Sequence, residues 1–491
     1  MNHQKQHFFF LFFVLSVIIL AVACSKDDTD DNDNNNNLDT LSQYLSPISG
    51  SQQRQGNPAA GREYLLYGDY IDHGIPYDLY MSATQLGFSL GSGDNSNLLQ
   101  REGDNANISY DYTAATAPNG VRIVAPNCLQ CHAQMLNGQL VVGLGNATAD
   151  FTTDASTLIP AIDLFMNTQG YGEGTPEWEA YYTFRRASLA IGPQIIQKIK
   201  GANSANNLAA VLAAHRDPAT LAWYDTPQLP YPQNVVPVDV PPWWMLRKKN
   251  AMFYNALGHG DFAKISMASS MLTIVDTAKA KQVNEHFADV IAYLNTIQPP
   301  AYPQTVDTDL AEQGHQLFTS NCARCHGTYG DSETYPNMLV ALDFIGTDPM
   351  LASETSLLDQ FTTWYNSSWF NRDPYPANLS AGHGYVAPPL DGVWCTAPYL
   401  HNGSVPTLDD LLNSPQRPTY WQRKLTDKGS FDTNDFDYEK GGWQYTTPAA
   451  GNGNPDIYDT TLPGYGNQGH TFGDKFTPSE RAALIEYLKT L

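Results

Sequence analysis

From Phe8 to Ala23 the residues are apolar almost without interruption, and from Asp27 to Asn37 nearly every residue is acidic or asparagine. The first stretch, led by Lys5, has the pattern of an export signal and is too short to be favoured as a permanent span. The second has nothing to bury and repels itself, so it reads as a tether. Further on, Val283, Phe287, Val290, Ile291 and Leu294 fall on one face at helical spacing. The last helix is predicted to start at Thr477-Pro478-Ser479-Glu480, a capping box with proline at the first helical position. Asp309 and Glu312 mark a similar start ahead of Leu317 and Phe318, and Gly314 between them lets a first and a last helix cross closely. Residues 330–470 show no such period; rich in Pro, Gly, Tyr and Trp, they read as long ordered loops.

An internal repeat divides the body of the chain. Asp289-Val-Ile-Ala-Tyr293-Leu294-Asn-Thr296-Ile297 matches Ala483-Leu-Ile-Glu-Tyr487-Leu488-Lys-Thr490-Leu491, and Gln298-Pro299-Pro300-Ala-Tyr-Pro303 between the halves cannot continue a helix. The expected organisation is a lipoprotein signal peptide (1–23), an acidic, Asn-rich tether (24–57), an N-terminal unit (58–298), a linker (299–308) and a C-terminal unit (309–491). Ala21-Val22-Ala23-Cys24 resembles the bacterial lipoprotein box, which makes Cys24 the candidate lipidation site. The folded body is then expected outside the cytoplasm, lipid-anchored to a bacterial membrane, on the periplasmic side of the outer membrane or at the cell surface.

Two pentapeptides add the chemistry. Cys128-Leu-Gln-Cys131-His132 and Cys322-Ala-Arg-Cys325-His326 use four of the six cysteines. Each has what covalent attachment of a c-type haem needs: two thiols that add across the vinyl groups and an adjacent imidazole for one axial position on iron. Structural zinc would need two more nearby Cys or His ligands per site, and those spacings are absent. The expected cofactors are two covalently bound c-type haems with His132 and His326 as iron ligands. His132 and His326 are separated by the same 194 positions as Tyr293 and Tyr487, so each half runs from haem motif to closing helix over one length. That layout resembles class I cytochrome c, and the predicted fold class is mainly α: two class I cytochrome c-like haem domains with long irregular loop insertions. Cys395, among apolar residues, reads as a buried inert thiol. A net charge of −23 argues against nucleic acid and favours a basic redox partner, a small cytochrome or cupredoxin, or simple solubility, the safer of the two readings.

A haem closed by two protein ligands moves electrons, whereas one with a free position binds peroxide or dioxygen. In class I cytochromes the second ligand comes from the loop before the C-terminal helix. In the second half that loop runs from Gly464 to Gly473, and His470 is its only strong ligand; His401 is the alternative. The same offset in the first half lands on Asp276, a poor ligand, with Met267, Met271 and His259 nearby. The first haem is therefore expected to be open or weakly closed. An acid or base for chemistry there is sought among His259, Asp261, Lys248 and Lys249.

The run from Pro389-Leu390-Asp391-Gly392 through Thr396-Ala397-Pro398-Tyr399-Leu400-His401-Asn402-Gly403-Ser404 to Leu408, with the Gly469-His470 loop and both haem motifs, resembles the di-haem cytochrome c peroxidase superfamily. Within it the sequence is closer to the branch containing the bacterial rubber oxygenases. The resemblance implies that His132 and His326 are proximal ligands, that His470 closes the second haem, and that the first haem is the reaction centre. The expected function is an exported di-haem oxidoreductase passing electrons through the C-terminal haem to a peroxidase-like N-terminal haem. The alternatives are a dioxygen-dependent oxygenase and a non-enzymatic electron carrier. Two departures stand out: peroxidases usually carry Asp where Asn402 stands, and a small residue where Cys395 stands.

Overall fold

The computed structural model describes residues 41–87, 95–424 and 435–491. Residues 1–23, read above as an export signal, and Cys24 lie outside them. Contacts divide the chain after Gln43; of the leading unit only residues 41–43 are described, and Tyr44–Leu491 forms the other unit.

Two helix pairs frame this body. Helix α1 (Pro58–Tyr67) crosses α2 (Thr277–Leu294), and α3 (Thr308–Asn321) crosses α4 (Pro478–Leu488). Helix α2 buries Val283, Phe287, Val290, Ile291 and Leu294, the stripe expected from the pattern. Its start is capped by Asp276, whose carboxylate accepts the Lys279 N–H. Helix α4 begins with the Thr477/Glu480 capping box and Pro478. At both crossings a glycine makes the approach possible. A Cβ on Gly314 would lie 1.9 Å from the Ala483 carbonyl oxygen, and one on Gly61 would lie 1.9 Å from that of Asp289. Asp289 and Ala483 are the aligned first residues of the internal repeat, so the repeat extends to a helix crossing whose first member, α1, the sequence pattern did not disclose.

The mainly α expectation is corrected. Helices make up only 40% of the structure and strands 13%, spread over six small sheets among the described residues. The physical reason lies in the segments read as irregular loops. They pair as antiparallel strands of two to five residues, too short for a period of two to register in the sequence. Several pairings join distant parts of the chain. Leu45–Pro47 pairs with Met338–Val340, and Gly258–Gly260 pairs with Ala377–Leu379. Trp364, Tyr365 and Phe370, late in the sequence, pack into the core that holds Leu129 and the α2 stripe. A second core collects Trp244, Trp394, Trp443 and the inner face of α4.

The chain enters the body beside the last loop: Tyr44 stacks on Phe344 at 4.9 Å, Phe344 meets Phe472 at 5.6 Å, and Phe472 meets His470 at 5.2 Å between ring centroids. Among the described residues no helix is long and apolar enough to cross a membrane.

Candidate haem sites

The first motif is presented by strand Arg122–Pro126, which pairs with Tyr112–Thr116. Asn127, directly after it, donates to the Tyr110 carbonyl at 2.9 Å and caps the Leu129 N–H with its side-chain oxygen at 2.9 Å. The chain therefore turns at once into the short helix Leu129–His132. A hairpin, Ala133–Leu136 with Gln139–Val142, returns Gly143, whose N–H donates to the His132 carbonyl at 2.8 Å. The Gly143 carbonyl in turn accepts the Trp243 N–H, and the Trp243 indole lies on the His132 ring, centroids 4.7 Å apart and 21° from parallel.

Helix α3 delivers the second motif. Gly327 follows the motif at φ +82°, where a Cβ would meet the Thr334 carbonyl oxygen at 1.9 Å. His326 donates its Nδ1–H to the Pro388 carbonyl at 2.8 Å. Facing His326 is His470, ring centroids 6.3 Å apart and inclined at 60°. His470 reaches that position through left-handed backbone at Gly469 (φ +75°) and at His470 itself (φ +46°). Arg417 holds the loop there, donating to the carbonyls of Asn467, Gly469 and His470 at 2.6, 2.7 and 3.1 Å. Asn402 donates to the Gly464 and Gly466 carbonyls at 3.0 and 2.9 Å. A carboxylate at 402 could not donate either bond, which accounts physically for asparagine at that position.

These side chains fit a c-type haem. None of the four motif cysteines is in a disulfide, and burial pushes the Cys131 thiol up to about 12 and the Cys322 thiol up to about 11. Cys131, His132, His326 and His470 are each half-buried, and the Nδ1 atoms of His132 and His470 have no hydrogen-bond partner. The 6.3 Å between the His326 and His470 rings leaves room for one metal ion, since metal–imidazole bonds run about 2.0 Å. By contrast, no group of three or more Cys, His, Asp or Glu able to hold a bare metal ion occurs among the described residues.

The other predicted residues are dispersed. His401 is buried and stacks on Tyr385, centroids 4.0 Å apart. Lys248 Nζ sits 2.8 Å from Asp391, is paired also with Glu333, and lies over the Tyr329 ring, on the His326 side. Asp261 is buried and paired with Arg54 at 2.7 Å, although neither carboxylate oxygen meets hydrogen-bond geometry; at that separation the charge pairing is what counts. His259 stands in the strand opposite Asn378. Met267 and Met271 are fully buried in the core with Leu129. Cys395 is buried, and burial raises its thiol well above the ordinary range. Sequence reasoning missed Pro388, Arg417 and Asn127, each of which acts through contacts far along the chain or through the backbone and so carries no local signal.

Burial pushes His132 down to about 4 and His401 and His470 down to about 3, and it lowers His326 as well. His401, which the second haem does not need once His470 is its ligand, is neutral in the folded protein at pH 6.5, while the unfolded chain takes up a proton there. Stability from this source is present above the ordinary value of 6.5 and is lost as pH falls from there toward about 3. Urea unfolding midpoints are expected to drop between pH 7 and pH 5; a flat profile would show that His401 titrates normally.

Residues 384–422 match the RoxA-like, cytochrome c-like family, a stretch that contains His401, Asn402 and Arg417. Two uncharacterised proteins of Sinorhizobium fredii are similar to parts of the chain. The protein y4iJ is 30% identical over 254 residues, 40% of this chain and 41% of its own length; y4iM is 30% identical over 209 residues, 38% and 46% respectively. The chain thus spans less than half the length of these curated relatives. The protein carries a RoxA-like cytochrome c-like domain, which implies a covalently bound c-type haem and supports a place near the rubber-oxygenase-like di-haem cytochromes.

Proposed function

We propose that this is an exported di-haem c-type cytochrome acting as an oxidoreductase, with an electron-relay haem at Cys322, Cys325 and His326 and a reaction centre at Cys128, Cys131 and His132. The observation that carries the reading is the asymmetry of the two motifs. His326 faces His470 across 6.3 Å, whereas the His132 ring lies on Trp243. A c-type haem, when bound, supplies one-electron chemistry and, where an axial position stays free, a place for peroxide or dioxygen.

The chain's own residues divide the labour accordingly. His326 and His470 close the second site and exclude exchangeable ligands. Asn402 and Arg417 hold the His470 loop in place. At the first motif Cys128 packs against the apolar core that holds Leu129, Phe262, Met267 and Met271. Peroxidase-like turnover at the first site is the leading reading. A dioxygen-dependent oxygenase is the second reading, supported by the RoxA-like match and by the ties that hold Lys248 and Asp261 in ion pairs and away from acid–base work. The high negative charge supports a basic redox partner, a small cytochrome or cupredoxin, and the N-terminal pattern supports lipid anchoring at Cys24.

The test is electronic and EPR spectroscopy of purified protein, oxidised and reduced, with and without carbon monoxide. One low-spin haem beside one high-spin haem that binds carbon monoxide is expected. Hydrogen peroxide consumption with a reduced donor cytochrome, or oxygen uptake with a hydrophobic alkene, then separates the two substrate readings. Two low-spin haems indifferent to carbon monoxide in both redox states would overturn the catalytic assignment in favour of electron carriage.

A further inference from the structure

The Pro388 carbonyl that receives the His326 N–H belongs to a short segment whose other end is clamped. Three residues on, the buried Asp391 carboxylate lies 2.8 Å from Lys248 Nζ and 2.9 Å from the Arg247 guanidinium. Its backbone carbonyl accepts the Trp244 indole N–H at 2.8 Å. Between them, the Leu390 N–H donates to the Tyr329 hydroxyl at 2.6 Å, and that hydroxyl donates to the His326 carbonyl at 3.2 Å. Trp244, Arg247 and Lys248 share one short helical turn, Trp243–Lys248, whose first residue is the tryptophan lying on His132.

We infer that Asp391 is a positioning residue for His326: its ion pairs with Arg247 and Lys248 hold the Pro388 carbonyl on the imidazole N–H, so a turn from the first half of the chain sets the orientation and electron donation of the second axial histidine. The inference rests on the two-haem reading proposed above. A carbonyl accepting the far N–H fixes the plane of a ligating imidazole and makes it a stronger donor. Donor strength at the axial histidine is one of the protein's levers on haem potential. Breaking a buried ion pair from one side leaves an uncompensated charge, which the segment relieves by moving.

The sign of the response separates positioning from simple charge. In the holoprotein, Asp391→Asn removes a negative charge and Lys248→Met removes a positive one, so through-space electrostatics alone shifts the second-haem midpoint potential in opposite directions. Positioning predicts the same direction for both: a rise, because each variant loosens Pro388 from His326, with altered low-spin EPR g-values at that haem. The experiment is an EPR-monitored redox titration of both variants, preceded by mass spectrometry of the peptide carrying Cys322 and Cys325. A peptide without haem would defeat the two-haem reading itself. Haem in place with opposite shifts, or with none, would overturn the positioning role alone. If Asp391→Asn does not fold, the direction of the Lys248→Met shift decides, a rise supporting the inference and a fall or no change overturning it.

Discussion

Replacing His470 by alanine is expected, on the two-haem reading proposed above, to convert the second haem completely from low-spin to high-spin and to open it to carbon monoxide, so that the variant binds carbon monoxide at both haems. Three observations set the size of the effect. The ring faces His326 with room for a single metal ion between them. Burial holds it neutral far below pH 7, so its lone pair is available throughout the working range. Its backbone sits at φ +46°, a conformation that costs a non-glycine residue on the order of 1 kcal/mol or more and persists only where surroundings enforce it. Here the enforcement is explicit: Arg417 binds three carbonyls of the loop, and the His470 N–H donates to the Ile345 carbonyl at 2.8 Å. His401→Ala is the control and is expected to keep the low-spin signal, at a cost in stability from the lost stacking on Tyr385. Low-spin haem persisting in His470→Ala and vanishing in His401→Ala would reverse the ligand assignment.

The second large effect concerns stability. Gly314→Ala and Gly61→Ala are each expected to destabilise the holoprotein by about 2–3 kcal/mol, within the usual range for overpacking. On an exposed helix the same change stabilises by up to about 1 kcal/mol through propensity. Contact decides against that gain, because the new methyl would lie 1.9 Å from a backbone carbonyl of the crossing helix, at Ala483 or at Asp289. No rotamer change relieves a clash with backbone, so the helices must separate. Chemical unfolding of the two variants checks this; a midpoint at or above that of the wild type would refute the close-crossing argument. Similar losses at both sites are expected, since the two crossings are equivalent.

That equivalence also shows where sequence reading stops. The α4 capping box, the α2 stripe and Gly314 are all legible because each is written within a few neighbouring positions. Helix α1 is not: Gly314 stands 8 residues before Cys322, whereas Gly61 stands 67 residues before Cys128, the matching cysteine of the first half. The sheet built from Ile75–Pro76, Tyr112–Thr116 and Arg122–Pro126 intervenes between α1 and the first motif, and nothing local announces that the two belong together. The short strands escape for a related reason, since pairs such as Gly258–Gly260 with Ala377–Leu379 are made by partners more than a hundred residues apart. Arg417 and Pro388 act on the histidines through backbone carbonyls, which any residue type supplies and no pattern marks.

The ring stack from Tyr44 through Phe344 and Phe472 to His470 places the point where the chain enters the body on the His470 side. Whatever precedes Tyr44 is therefore joined to the body next to the loop that carries His470, so a pull on that end of the chain bears first on the rings that hold His470 in place.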